Sequence, residues 1–178
     1  MSAVSCESLK NTLPSHIKCE QVPLRYGDKG TDDTVQDMLT YSRRDANNPF
    51  VKKIASELKG KTDFETVKNI FRYVRKRFPY KSDPKEVEFF TAAIHHLTGA
   101  FKKYCDCDDL TGILVTLFKA SGLQSAIKVI SWRNEYLTHV YALVDIPSLK
   151  ISIPIDATVR ELGKEKYQPI RRSKLYWV

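Results

Sequence analysis

The chain has 178 residues, 42% hydrophobic and 28% charged, with 7 Gly and 8 Pro. This suits one globular domain with a real core and excludes a disordered or fibrous chain. No apolar run reaches the roughly 18–20 residues that span a bilayer. Met1–Lys10 lacks the basic flank and apolar stretch of a secretory leader, so a cytoplasmic protein without a membrane span is expected. A balance of 29 basic to 21 acidic residues (+8) favours anionic partners.

Residues 1–30 read as an irregular arm. Within it Ile17–Val22 alternates loosely, as an edge strand would, and Tyr26–Gly30 is turn-rich. Thr31 or Asp32 then caps a short helix carrying Val35, Met38 and Leu39. Pro49 opens a second helix with Phe50, Val51, Ile54, Ala55 and Leu58 on one face, and Gly60 ends it. Thr62 or Asp63 caps a third, with Phe64, Val67, Ile70, Phe71 and Val74 at helical spacing and Pro79 as the stop. The basic residues from Arg72 to Lys81 read as its solvated face. After a polar loop, a short helix is expected around Phe89–Leu97.

A fourth, central helix begins near Asp108. Leu110, Ile113, Leu114, Leu117 and Phe118 form a dense stripe, and Gly122 closes it. The period then changes from helical to alternating. Ala126–Trp132, Thr138–Ile146 and Lys150–Ile155 read as three strands joined by hairpin-length turns. Helices first and an antiparallel sheet later predict an α+β fold.

Four cysteines, Cys6, Cys19, Cys105 and Cys107, are too few for a disulfide scaffold, and the spacing of the last two strains a bond between them. Reduced thiols are expected. Cys107 falls at the start of the central helix, where the unpaired amides and the positive end of the helix dipole favour a thiolate and a developing oxyanion. Asp108 and Asp109 at the same end oppose ionisation, so activation must come mainly from an imidazole. His139 lies on an alternating strand, on the inward side expected to face the helix, and Asp156 follows the next one. Neighbouring antiparallel strands bring such residues side by side, which gives a nucleophile, a base and an orienting carboxylate.

Asp106-Cys107-Asp108-Asp109 with its apolar helix resembles the nucleophile motif of the transglutaminase-like superfamily. His139-Val140-Tyr141 resembles the histidine strand of that family, and Ile155-Asp156-Ala157-Thr158 its aspartate motif. The resemblance covers roughly residues 62–160, with Cys105 standing where the family commonly has Gly. Tyr26 to Val35 and Tyr80 to Pro84 resemble transglutaminase-like proteins encoded by tailed bacteriophages. The resemblance implies a papain-type core, with a Cys-bearing helix packed on an antiparallel sheet that carries His and Asp. It also implies a catalytic Cys107–His139–Asp156 triad acting on peptide or amide bonds, by hydrolysis or acyl transfer, in the host cytoplasm or a virion. The implied division is an arm over 1–30, a transglutaminase-like domain over 31–165 and a basic tail over 166–178. Tyr80 and Trp132 are candidate oxyanion donors, each also readable as packing.

The expected partner is a protein or peptide substrate, and no cofactor or metal is expected. A phage virion assembly protein that uses the same fold as a docking module, through the arm and the tail, is the alternative. Cys105, Cys107, His95 and His96 form a rival zinc set with poor tetrahedral spacing. Nucleic acid is disfavoured: basic residues interleave with Phe71, Tyr73, Phe78 and Tyr80, but no recognised binding motif accompanies them. The acidic runs lack a calcium-loop pattern.

Overall fold

Helix signals in the first half of the chain are matched by helices whose ends are fixed by side chains. The computed structural model describes residues 20–21, 28–83, 89–100, 105–133 and 136–178. Helix α1 spans Asp28–Asp45, longer than its expected cap allowed, because Val35, Met38, Leu39 and Ser42 bury one continuous side. Helix α2, Pro49–Glu57, is capped by Asn48, which accepts from the Phe50 amide at 2.9 Å. Val51, Ile54 and Ala55 face inward, while Phe50 lies outside the expected apolar face. The helix ends before Gly60, whose role is spatial: a Cβ there would stand 2.4 Å from Cβ of Glu65.

Helix α3, Asp63–Arg77, has Thr62 as its cap, accepting from the Glu65 amide at 3.1 Å. Val67, Ile70, Phe71 and Val74 are buried, whereas Phe64 is largely exposed. Its basic side is not only a solvated face: Lys68, Arg72, Arg75 and Lys76 line a groove with Arg160 and Leu162.

The helix expected over Phe89–Leu97 is shorter. Phe89–Phe90 is strand β2, paired antiparallel with Glu20–Gln21 (β1), and only Ala93–Leu97 is helical (α4). Two adjacent aromatics suit a paired strand, and the partner lies far away in sequence. The Ile17–Val22 strand expectation therefore has a paired core at Glu20–Gln21, and its remaining residues lie outside the described ones.

Helix α5, Cys107–Ala120, is the centre of the fold. Its residues from Asp108 to Phe118 are all buried. It packs against α1, α2, α3 and α4 as well as two strands of the sheet. Gly122 adopts φ +81°, and the Gly122 and Leu123 amides close back on Lys119 and Phe118 at 3.0 and 2.9 Å. That left-handed turn is the expected glycine stop.

The sheet follows as β3 (Ser125–Ser131), β4 (His139–Ile146), β5 (Ile151–Ile155) and β6 (Arg172–Trp177). Its order is β5-β4-β3-β6, with every pairing antiparallel. The segment set apart as a basic tail thus contributes an edge strand. Its charges sit at an edge, where they do not prevent pairing. Lys174 and Tyr176 on it bond to Asp32 of α1. Ile127 and Val129 of β3 join Val140, Ala142, Val144 and Ile146 of β4 in one core with the helices. Among the described residues this is an α+β domain of five helices with a four-stranded antiparallel sheet and a small β1–β2 ladder. No helix among them is long and apolar enough to cross a membrane.

Candidate functional site

Cys107 is the first residue of α5, after the N-cap Asp106. It forms no disulfide and is half-buried. The Asp106 carboxylate accepts from the Asp108 amide at 3.3 Å, and that of Asp108 accepts from the Asp109 amide at 2.8 Å. An oxyanion on a carbonyl bound at this turn would therefore compete with carboxylates for these first-turn donors. The Thr111 hydroxyl lies within 2.6 Å of the Cys107 carbonyl and 3.2 Å of the Val140 carbonyl. One hydroxyl thus links the turn bearing Cys107 to the residue following His139.

His139 opens β4 opposite Ile130 of β3. Val140, Ala142, Val144 and Ile146 are the helix-packed phase of the strand. His139 falls in the other phase with Tyr141, their rings 5.9 Å apart, and not on the helix-facing side expected of it, because strand alternation gives that side to Val140 and the residues in step with it. Its Nε2 lies 2.7 Å from Oδ2 of Asp156, the residue after β5, and both side chains are buried. The other oxygen, Oδ1, accepts from the amide and hydroxyl of Thr158 at 2.9 and 2.7 Å, and the Lys166 amide adds a 3.3 Å bond to Oδ2. Burial alone would raise the Asp156 pKa, but the His139 bond and charge and the Thr158 bonds outweigh it and hold the carboxyl below its ordinary range. The aspartate motif thus works through its threonine, which fixes the carboxylate that fixes the imidazole.

The segment 165–167 closes over this pair. Tyr167 meets the His139 ring edge-on at 5.1 Å and stacks on Trp132 at 3.6 Å. The Lys166 ammonium lies 5.2 Å from both the Tyr80 and Tyr167 rings. Both oxyanion candidates, Tyr80 and Trp132, therefore reach this neighbourhood through stacking and cation–π contacts. Glu165 bonds to Tyr141 and to Lys128 beneath it. Sequence reasoning missed Glu165, Lys166 and Tyr167 because they lie in an irregular loop; the aromatic and charged run after Gly163 was the available signal.

A second buried histidine–aspartate pair lies on the other side of the α5 start. His96 of α4 places Nε2 3.2 Å from Oδ1 of Asp109, which also accepts from the Thr91 amide at 3.0 Å. Burial pushes the Asp109 carboxyl up, against the His96 charge. Cys105 adjoins this pair, and the ligand-capable atoms of His96, Cys105 and Asp109 all lie within 4.8 Å of one another. Of the rival zinc set, His96 and Cys105 are thus brought together, with Asp109 rather than with Cys107 or His95. Burial, then the Asp109, Asp106 and Asp83 charges, push the Cys105 thiol far up. Cys105 is the inert thiol of the pair and Cys107 the accessible one.

Comparison with protein-family models, with curated proteins and with solved structures finds no match for the chain.

Proposed function

We propose that the chain is a transglutaminase-like cysteine enzyme with a papain-type core, acting on peptide or amide carbonyls. The observation that carries this reading is the buried 2.7 Å pair of His139 Nε2 and Asp156 Oδ2, fastened next to the turn bearing Cys107. With Nε2–H donated to the carboxylate, Nδ1 is the nitrogen left to take a proton from sulfur. Cys107 Sγ then attacks the carbonyl, His139 returns the proton to the leaving nitrogen, and the C–N bond breaks to leave a thioester. Water releases an acid from that thioester, or an amine releases a new amide, and in either case Sγ is regenerated. The positive end of α5 favours the thiolate throughout.

The test is labelling by a thiol-directed amide warhead with the modified residue mapped by mass. Wild type takes the label at Cys107, and Cys107→Ala loses it while unfolding at the same temperature. Equal labelling of the two proteins would remove Cys107 as the nucleophile.

A second reading, a virion docking module on the same fold, is favoured by β6. This edge strand leaves Leu175 and Trp177 exposed among basic residues, a surface suited to strand addition by a partner chain. Under that reading charged substitutions at Leu175 and Trp177 abolish incorporation into particles, while Cys107→Ala has no effect on it.

A further inference from the structure

The start of α5 carries more buried polar chemistry than the triad uses. His96, Cys105 and Asp109 come from three separately anchored pieces of chain. His96 belongs to α4, and its ring meets Phe78 edge-on at 6.2 Å. Cys105 is held by a backbone bridge to Lys81, at 3.1 and 3.3 Å. Asp109 is fixed in the first turn of α5 and by the Thr91 amide. Their exposures are 1%, 6% and 1%, so water does not solvate them.

Oδ1 of Asp109 is engaged by Thr91 and His96, but its Oδ2 is buried and has no hydrogen-bond partner among the described residues. A buried carboxylate oxygen left so is destabilising, and a cation would remove that cost. The spacing is of the right order: nitrogen and oxygen ligands at about 2.0–2.2 Å in a tetrahedron lie roughly 3.3 Å apart, His96 Nε2 stands 3.2 Å from Oδ1 of the same carboxylate, and the ligand atoms of the three residues lie within 4.8 Å of one another. One imidazole, one thiol and one carboxylate are the ligand types of a borderline-soft divalent ion. The Thr91 bond to Oδ1 is the outer contact that orients a ligating carboxylate.

We propose that His96, Cys105 and Asp109 form a zinc site of three protein ligands, with a single enclosed water in the fourth position, that ties α4 and the Lys81–Cys105 bridge to the turn bearing Cys107. Binding converts the Cys105 thiol to a thiolate and releases its proton to solvent, with no redox change. The site is independent of the role assigned to Cys107 and stands whether or not that thiol is a nucleophile.

The experiment uses the full chain, reduced and stripped with a chelator, then titrated with Co²⁺ and competed with Zn²⁺. Wild type is expected to take up one equivalent of Co²⁺ with a thiolate-to-cobalt charge-transfer band, which Zn²⁺ abolishes. Cys105→Ser loses the band, and His96→Ala and Asp109→Asn weaken binding beyond the roughly 10–100-fold expected for an outer contact. Cys107→Ala and Cys6→Ser/Cys19→Ser keep the band. Wild type that binds neither metal overturns the proposal whatever the variants do, and so does a band that survives Cys105→Ser but is lost with Cys107→Ala.

Discussion

Two buried histidine–aspartate pairs flank the start of α5, and they are built differently. In His139–Asp156 both oxygens of the carboxylate are engaged, by an imidazole at 2.7 Å and by Thr158 and the Lys166 amide. In His96–Asp109 the contact is 3.2 Å and one carboxylate oxygen has no hydrogen bond among the described residues. The first carboxyl is held below its ordinary pKa range and the second is pushed above it. The same two residue types thus give an orienting pair where donors surround the carboxylate, and an unfinished ligand set where they do not. Of the two described thiols, the buried Cys105 adjoins the second pair, and the half-buried Cys107 opens α5.

The largest expected effect distinguishes the pairs by chemistry. Asp156→Asn should keep the fold yet lower the rate of Cys107 acylation by about 10⁴-fold, the scale set by loss of an orienting carboxylate in an analogous triad. Asp109→Asn should leave the rate per folded molecule within about threefold, one power of ten being 1.4 kcal/mol. Rapid-quench labelling of both variants checks this, and equal losses would erase the distinction.

Next in size is stability. His96→Ala removes one member of a buried pair and should cost about 3–5 kcal/mol in denaturant unfolding of metal-free protein, without moving the site of labelling from Cys107.

The pH dependence of stability should have opposite sign at the two carboxylates. Asp156 has a folded pKa below its unfolded 3.8. The unfolded chain binds more protons in that window, so the stabilisation is complete above about pH 5 and is lost as pH falls through the folded value. Asp109 has a folded pKa above 3.8, so in metal-free protein its ionisation lowers stability as pH rises from there. Unfolding curves of wild type against Asp156→Asn and Asp109→Asn, taken from pH 3 to pH 7, should diverge in opposite directions.

The smallest effect is a yardstick remote from both pairs. Thr62→Ala removes the cap of α3 and should cost about 1 kcal/mol with no change in labelling, measured by the same unfolding assay.

The sequence shows the parts whose signals are local. The α5 stripe, the Thr62 cap and the Gly122 stop are written in consecutive residues, and so is the alternation of β3 to β5. The His139–Asp156 encounter is legible because adjacent antiparallel strands leave few other arrangements. Strand β2 is not legible, because Phe89–Phe90 reads as the start of a helix until Glu20–Gln21 pairs with it. Strand β6 is hidden by its own charges, which suit a tail as well as an edge. The Trp132–Tyr167–His139 stack and the His96–Asp109 contact join residues with no shared periodicity, so only the folded chain brings them together.

The most direct measurement is the rate of alkylation at Cys107, mapped by mass against Cys6, Cys19 and Cys105, as a function of pH in wild type and His139→Ala. A sulfur paired with an imidazole should react well below the ordinary thiol range near about pH 8.5, and His139→Ala should move the profile up into that range. Superimposable profiles would mean that the ring does not act on the sulfur, and would contradict the triad.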